Sequence, residues 1–196
     1  MTKLFDGYED NVVNTLRGKL KYAVMATTMD GFCGLDVVAD ITPESQEIVD
    51  KINNDEFDKD DFKGFIESMG KSDRLQYLTE YTEQQLQEHF HTYKVQGFDV
   101  GFAIKDDGTI TSVHNNSGIK GGGIGSALID AAKRMGGNQL DHFDDLNSYL
   151  SKLYESHGFE ETDRIKWDDN YAPENWDYEK DKRPDVVYRK LKVDKE

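Results

Sequence analysis

The feature that most constrains this chain is a glycine-rich segment between two regions of different periodicity. Apolar residues alternate with polar ones before it, over 98–104 and 109–114, and recur at helical spacing after it, over 126–135. Four of the five residues in 121–125 are glycine. Such a strand-to-helix turn lets the backbone approach a ligand closely, and its amides favour an anion. The pattern predicts a phosphate-binding loop between a strand and a helix.

Two common phosphate-binding folds do not fit this loop. No Gly-Lys-Ser or Gly-Lys-Thr follows it, which excludes a Walker loop. A dinucleotide-binding fold needs an acidic residue at the end of a second strand about 20 residues further on. Asp144 and Asp145 have that separation but follow the wrong element. A phosphate-cradling loop of another kind remains.

The rest of the chain predicts an α/β protein whose mixed, mostly antiparallel sheet is flanked by helices. We expect one domain over 1–196, with a cofactor-binding core over 97–191 and an acidic, mostly helical insert over 42–96. Thr42-Pro43-Glu44 is typical of a helix start, and helical spacing continues to about Tyr93. The further predicted elements are a helix over 8–20, a hairpin over 22–41, strands over 139–143, 161–167 and 185–191, and a helix over 146–156 that ends at Gly158.

Composition limits the partners and the compartment. The 196 residues carry a net charge of −15, which disfavours nucleic acids and anionic membranes and favours a cationic partner. Residues 36–67 hold eleven acids against three lysines, a block that either selects a basic partner or is only a solvated surface.

The single cysteine, Cys33, allows no internal disulfide and is expected to be a buried apolar residue. With no apolar leader or membrane-spanning stretch, we expect a cytoplasmic protein without a membrane or nucleic-acid partner.

Two motifs in the second half carry a family resemblance. Residues 120–125, Lys-Gly-Gly-Gly-Ile-Gly, resemble the Arg/Gln-x-x-Gly-x-Gly/Ala pyrophosphate loop of the GNAT (Gcn5-related N-acetyltransferase) superfamily, with lysine in the first position. Residues 147–159 are similar to the Asn-(x)6-Tyr-Glu-x-x-Gly-Phe helix and turn of that family. The closing runs 171–176 and 183–188 look like acetyltransferase-like proteins of phages and other mobile elements. The resemblance covers about 97–191.

The resemblance implies a GNAT-like sheet and an acetyl-CoA-dependent N-acyltransferase acting on a primary amine of a small molecule or protein. The loop and helix start would hold the pyrophosphate, and a splayed strand beside them would bind the pantetheine arm. Tyr154 would be the general acid that protonates the leaving thiolate, and Asn147 would contact the cofactor arm. The residues implied for the pyrophosphate are Lys120, Gly121, Gly123, Gly125 and Ser126.

Other interpretations of the same residues stay open. A glycine turn also occurs without a ligand, Asn147 also suits the N-cap of its helix, and Tyr154 also suits packing under the sheet. His114 and His142 are candidate general bases on adjacent predicted strands, and no histidine or cysteine pattern indicates a metal. The alternative function is a non-catalytic GNAT-like phage protein that uses its acidic surface to bind a host protein or mimic DNA, or that belongs to a virion.

Overall fold

The computed structural model describes residues 41–72, 75–119, 122–144, 149–172 and 176–192. The predicted helix over 8–20, the hairpin over 22–41 apart from its last residue, and Cys33 lie outside these ranges. Within them the chain forms seven strands and five α-helices. In chain order these are α1 (Pro43–Asn53), β1 (Phe57–Lys59), α2 (Phe62–Met69), α3 (Glu83–His89), β2 (Phe90–Val95), β3 (Val100–Lys105), β4 (Thr109–Asn115), α4 (Ile124–Arg134), β5 (Gln139–Phe143), α5 (Tyr149–Ser156), β6 (Phe159–Ile165) and β7 (Val186–Leu191).

The strands form one sheet in the order β1-β2-β3-β4-β5-β7-β6. The pair β4–β5 is parallel, and the other five neighbouring pairs are antiparallel. The predicted mixed, mostly antiparallel sheet with flanking helices is therefore confirmed. Its parallel pair is joined by α4, as a crossover between parallel strands requires.

Helices cover both faces of the sheet, and β3 is buried on both. Phe102 and Ile104 of β3 belong to the main core with α1 and α4, and Tyr154 of α5 joins the same core. Ala103 points the other way, into a second core with Phe65 of α2 and Leu86 of α3. We call the first side of the sheet the α4 face and the second side the α2 face.

Predicted elements in the second half lie close to the observed ones. Strand 139–143 is β5 as predicted, strand 109–114 is β4 without its last residue, and helix 126–135 is α4, which begins two residues earlier. The described part of helix 146–156 is α5, and Gly158 beyond it has φ 86°, as expected for a left-handed residue after a helix.

The prediction of mostly helical structure from 42 to about 93 is wrong at two strands. Phe57–Lys59 forms β1 and Phe90–Val95 forms β2, and both pair in the sheet. Leu86 and Phe90 continue the spacing of α3 across its end, which hides the junction. The side chains of Phe90 and Thr92 alternate into the α2 face, and cross-strand pairing with β3 outweighs the helical spacing.

Four acids of the block 36–67 stabilise the fold locally. Asp55 pairs with Arg134 of α4 at 2.9 Å, and Asp58 pairs with Lys94 of β2 at 2.9 Å. Asp60 accepts a hydrogen bond from the backbone amide of Thr92, and Asp61 caps α2 by accepting one from the amide of Gly64 at 3.0 Å. Structural roles thus account for these four carboxylates without an external partner.

Removing the cap of α2 tests this assignment. Asp61→Ala leaves the amide of Gly64 without its acceptor, and we expect the free energy of unfolding in urea to fall by about 1 kcal/mol. Glu67→Gln is the matched control, because its side chain is 65% exposed and its ion pair with Lys63 is long, at 4.0 Å. That variant should stay within about 0.5 kcal/mol of the wild type. Equal stability of both variants would make Asp61 a solvated acid.

Candidate functional site

The parallel strands β4 and β5 separate soon after they start. Their register contains only Thr109 opposite Gln139 and Ile110 opposite Leu140. Beyond these pairs β4 stays bonded to β3 as far as Asn115, and β5 stays bonded to β7 as far as Phe143. The strands therefore diverge while their outer edges are held. We call the opening between 111–115 of β4 and 141–143 of β5 the fork.

A β-bulge bends β4 where the fork begins. Gly101 of β3 faces His114, and Ala103 faces Thr111, so β4 has one residue more than β3 in this interval. Ser112 takes the left-handed conformation, with φ 51°, and its buried hydroxyl has no hydrogen-bond partner. Bulges increase local twist and bend the strand that carries them. The bulge accounts for the departure of β4 from β5.

The glycine-rich loop leads from β4 to the start of α4. Gly122 and Gly123 have φ 62° and 77°, conformations that suit glycine, and Gly123 is the N-cap of α4 without any side-chain cap. The first helical amides, in 124–126, therefore have no capping side chain. A Cβ at Gly123 would meet nothing within 4 Å, so the loop is open there. Gly125 and Ser126 lie in this first turn, whereas Lys120, Gly121 and Asn147 lie outside the described residues.

Tyr154 lies on the same face as α4. Its side chain is 8% exposed, and its ring is 5.1 Å from that of His142, which belongs to the β5 side of the fork. Burial raises the pKa of Tyr154 to about 12, with a smaller contribution from the negative charge of Asp141. The phenol is therefore protonated at neutral pH and is available as a proton donor.

The two candidate histidines have both ring nitrogens engaged. Nδ1 of His142 donates to the carbonyl of Phe143 at 2.8 Å, and Nε2 accepts from Nε of Arg189 at 3.0 Å. Nδ1 of His114 donates to the carbonyl of Ser112, and Nε2 accepts from the hydroxyl of Ser68 at 2.8 Å. Burial lowers the pKa of His114. Both nitrogens of each ring are occupied by these hydrogen bonds, so neither ring offers a free nitrogen as a general base.

Sequence reasoning missed Arg189, a buried cation beside Tyr154. Arg189 is 2% exposed, and besides His142 it contacts Glu155 Oε1 at 3.1 Å and the carbonyl of Phe159 at 3.4 Å. The sequence signal that could have revealed it is the alternation of buried and exposed residues in β7. In that pattern Arg189 lies on the same face of the strand as buried Val187. An arginine on the apolar face of a strand indicates a buried ionic network.

Metal-binding and membrane features do not appear in the part of the chain that the structure describes. There, no three His, Cys, Asp or Glu side chains are grouped so as to hold a metal ion. No helix among the described residues is both long and apolar enough to span a membrane. Comparison with protein-family models, curated proteins and solved structures finds no match for this chain.

The raised pKa of Tyr154 predicts a dependence of stability on alkaline pH. The folded state holds this proton more tightly than the unfolded state, so its contribution is complete below pH 10 and is lost as pH rises through about 12. At pH 11 the wild type should have lost about 1 kcal/mol relative to Tyr154→Phe. Urea unfolding at pH 8 and pH 11 measures this difference.

Tyr188→Phe is the matched control, because Tyr188 is 38% exposed. Its loss of stability between the two pH values should equal that of the wild type. If Tyr154→Phe also follows the wild type, the phenol of Tyr154 titrates like an exposed one, and its assignment as a buried acid is wrong.

Proposed function

We propose that this chain is an acetyl-CoA-dependent N-acyltransferase of the GNAT type, which transfers an acetyl group to a primary amine. The observation that carries the proposal is the fork, flanked on its α4 face by the uncapped start of α4 and by protonated Tyr154. Together they offer an anion site, an extended slot and a proton donor. Acetyl-CoA requires these three features for its pyrophosphate, its extended arm and its thioester.

The loop supplies the pyrophosphate site. The amides of 124–126 and the positive end of the α4 dipole stabilise negative charge, and the open surface at Gly123 lets phosphate oxygens approach the backbone. Lys120, which the sequence places just before this turn, adds a positive charge. These groups suit a diphosphate better than a neutral ligand.

The fork supplies hydrogen bonds along the ligand. Over 111–115 and 141–143 each strand lacks its parallel partner, so backbone donors and acceptors face the opening. The amide groups of a pantetheine arm match such a strand edge. Asn147, which lies outside the described residues, is implied in this arm site by the family resemblance alone.

Tyr154 supplies the proton at the reacting end. The amine nitrogen forms a bond to the acetyl carbon, the carbon–sulfur bond breaks, and the leaving thiolate takes the phenolic proton. Tyr154 carries its proton in the resting protein, and the hydroxyl passes that proton to the sulfur as the carbon–sulfur bond breaks. Because His114 and His142 are engaged, the proton released by the amine passes to water or to a carboxylate.

The acceptor is a cationic amine compound. The net charge of −15 attracts cations and raises their rate of encounter with the protein. Four of the eleven acids in the block have partners within the fold, which reduces the support that the block gives to the host-protein or DNA-mimic alternative.

Gly125 offers a clean test of acetyl-CoA binding. Its φ is outside the left-handed region, and an added Cβ would lie 3.8 Å from Leu153, an ordinary contact. Gly125→Asp places a carboxylate in the first turn of α4, where acids favour the helix, so the fold should survive. Because that carboxylate adds a negative charge to the turn whose amides would hold the pyrophosphate, affinity in a calorimetric titration should fall by at least about 100-fold.

Gly125→Ala is the matched control, since it adds the same Cβ without charge. Its affinity for acetyl-CoA should stay within a few-fold of the wild type. The proposal fails if folded wild-type protein gives no binding heat. It also fails if Gly125→Asp binds as tightly as Gly125→Ala, because the ligand would then lie elsewhere.

A further inference from the structure

A cluster of aromatic rings joins three distant parts of the chain. Tyr77 comes from the turn between α2 and α3, Phe143 is the last residue of β5, and Trp167 and Trp176 belong to the β6–β7 connection. Neighbouring ring centroids among these four residues are between 4.7 and 6.2 Å apart. We call this set of four residues the aromatic bridge.

The aromatic bridge lies over the fork on the α2 face. Phe143 points away from the α4 face, because its neighbour His142 contacts Tyr154 there. In the turn between α2 and α3, Leu75 packs into the second core, which includes Ala103 of β3, and Tyr77 contacts Phe143 of β5. Because β4 lies between β3 and β5 in the sheet, this turn crosses β4. Phe143 is three residues beyond the last β4–β5 pair. The bridge therefore faces the fork from the side opposite α4.

Asp181 places an unsatisfied carboxylate in the same cluster. Tyr77 donates its hydroxyl hydrogen to Oδ1 of Asp181, while Oδ2 is buried and has no hydrogen-bond partner. Two nearby cations of the connection are used elsewhere, since Arg183 pairs with Asp169 at 2.9 Å and Lys182 donates to the carbonyl of Glu179. Among the described residues no basic side chain pairs with Asp181.

A buried carboxylate oxygen without a donor is costly and needs an explanation. A ligand that brings N–H donors and a positive charge would satisfy Oδ2. The rings beside it provide apolar surface for a carbon chain and negatively polarised faces for a cation. Tyr77, Phe143 and Trp167 are only partly buried, so solvent already reaches the rings along which such a ligand would enter.

We propose that the aromatic bridge and Asp181 form a binding site for an alkylammonium group. The ammonium N–H groups donate to Oδ2 of Asp181, and the carbon chain lies against the rings. Lysine side chains and free polyamines share this chemistry. An amine in this site would approach the fork from the face opposite the acetyl-CoA site, which suits an acetyl acceptor. That further identification rests on the proposed function. Binding of the amine itself does not depend on acetyl-CoA.

The two tryptophans of the chain report directly on this site, since both belong to the aromatic bridge. We would titrate the protein, without acetyl-CoA, with spermidine, with Nα-acetyl-lysine amide and with n-butanol while recording tryptophan emission. A saturable change with either amine and none with the alcohol supports the site, and the tighter amine identifies its source. No saturable change with both amines, or an equal response to n-butanol, overturns it.

Two variants with the same change of charge sharpen the test. Asp181→Asn removes the carboxylate that receives the ammonium group, and affinity for the responding amine should fall by about 10- to 100-fold. Glu179→Gln removes an exposed charge two residues away and should keep the affinity within about twofold. Equal affinities of the two variants would overturn the site.

Tyr77→Phe covers the case in which Asp181→Asn disturbs the ring packing, which the near-ultraviolet circular dichroism spectrum monitors. This variant keeps the ring and frees the second oxygen of Asp181, so amine affinity should be retained or increased. A loss of affinity equal to that of Asp181→Asn would assign the effect to packing and overturn the site.

The amine titration and the acetyl-CoA calorimetry fail independently. Amine binding without acetyl-CoA binding would leave this site standing and refute the proposed function. Acetyl-CoA binding without amine binding would refute this site and leave the proposed function standing.

Discussion

Pairing between β4 and β5 stops after Ile110 and Leu140, and the positions of the other site residues follow from this early separation. The bulge at Ser112 turns β4 away, while β3 and β7 hold the outer edges of the two strands. A sheet that remained paired throughout would leave no room between α4 and the aromatic bridge. The backbone groups that lose their partners are those that an extended ligand can use.

The two faces of the fork differ in chemistry. On the α4 face, uncapped amides favour an anion, and burial keeps the phenol of Tyr154 protonated beside Arg189. On the α2 face, aromatic rings lie beside Asp181, whose Oδ2 lacks a hydrogen-bond donor. An anionic cosubstrate and a cationic acceptor would therefore reach the same opening from opposite sides. In the proposed reaction, this separation would keep each charged group near complementary protein groups until the acetyl group is transferred.

The amount that sequence could predict differed along the chain. Strands β4 and β5 and helix α4 were predictable, because their periodicity is bounded by turn residues such as Gly108 and Gly136, both with positive φ. Strand β2 was not, since Leu86 and Phe90 continue a helical spacing into it. In the site, Gly123, Gly125 and Ser126 were predicted at the helix start that the structure shows. The buried ion network of Arg189 and the oxygen of Asp181 depend on contacts between residues far apart in sequence, which local patterns do not encode.

Backbone hydrogen–deuterium exchange with and without saturating acetyl-CoA tests the fork most directly, because it reads the strand edges themselves. The account predicts slower exchange in peptides that span 111–115, 122–126 and 141–143, and unchanged exchange in peptides from α1 and β6. Unchanged exchange in all three of these segments, or protection confined to other elements, would contradict the assignment of the fork as the acetyl-CoA site.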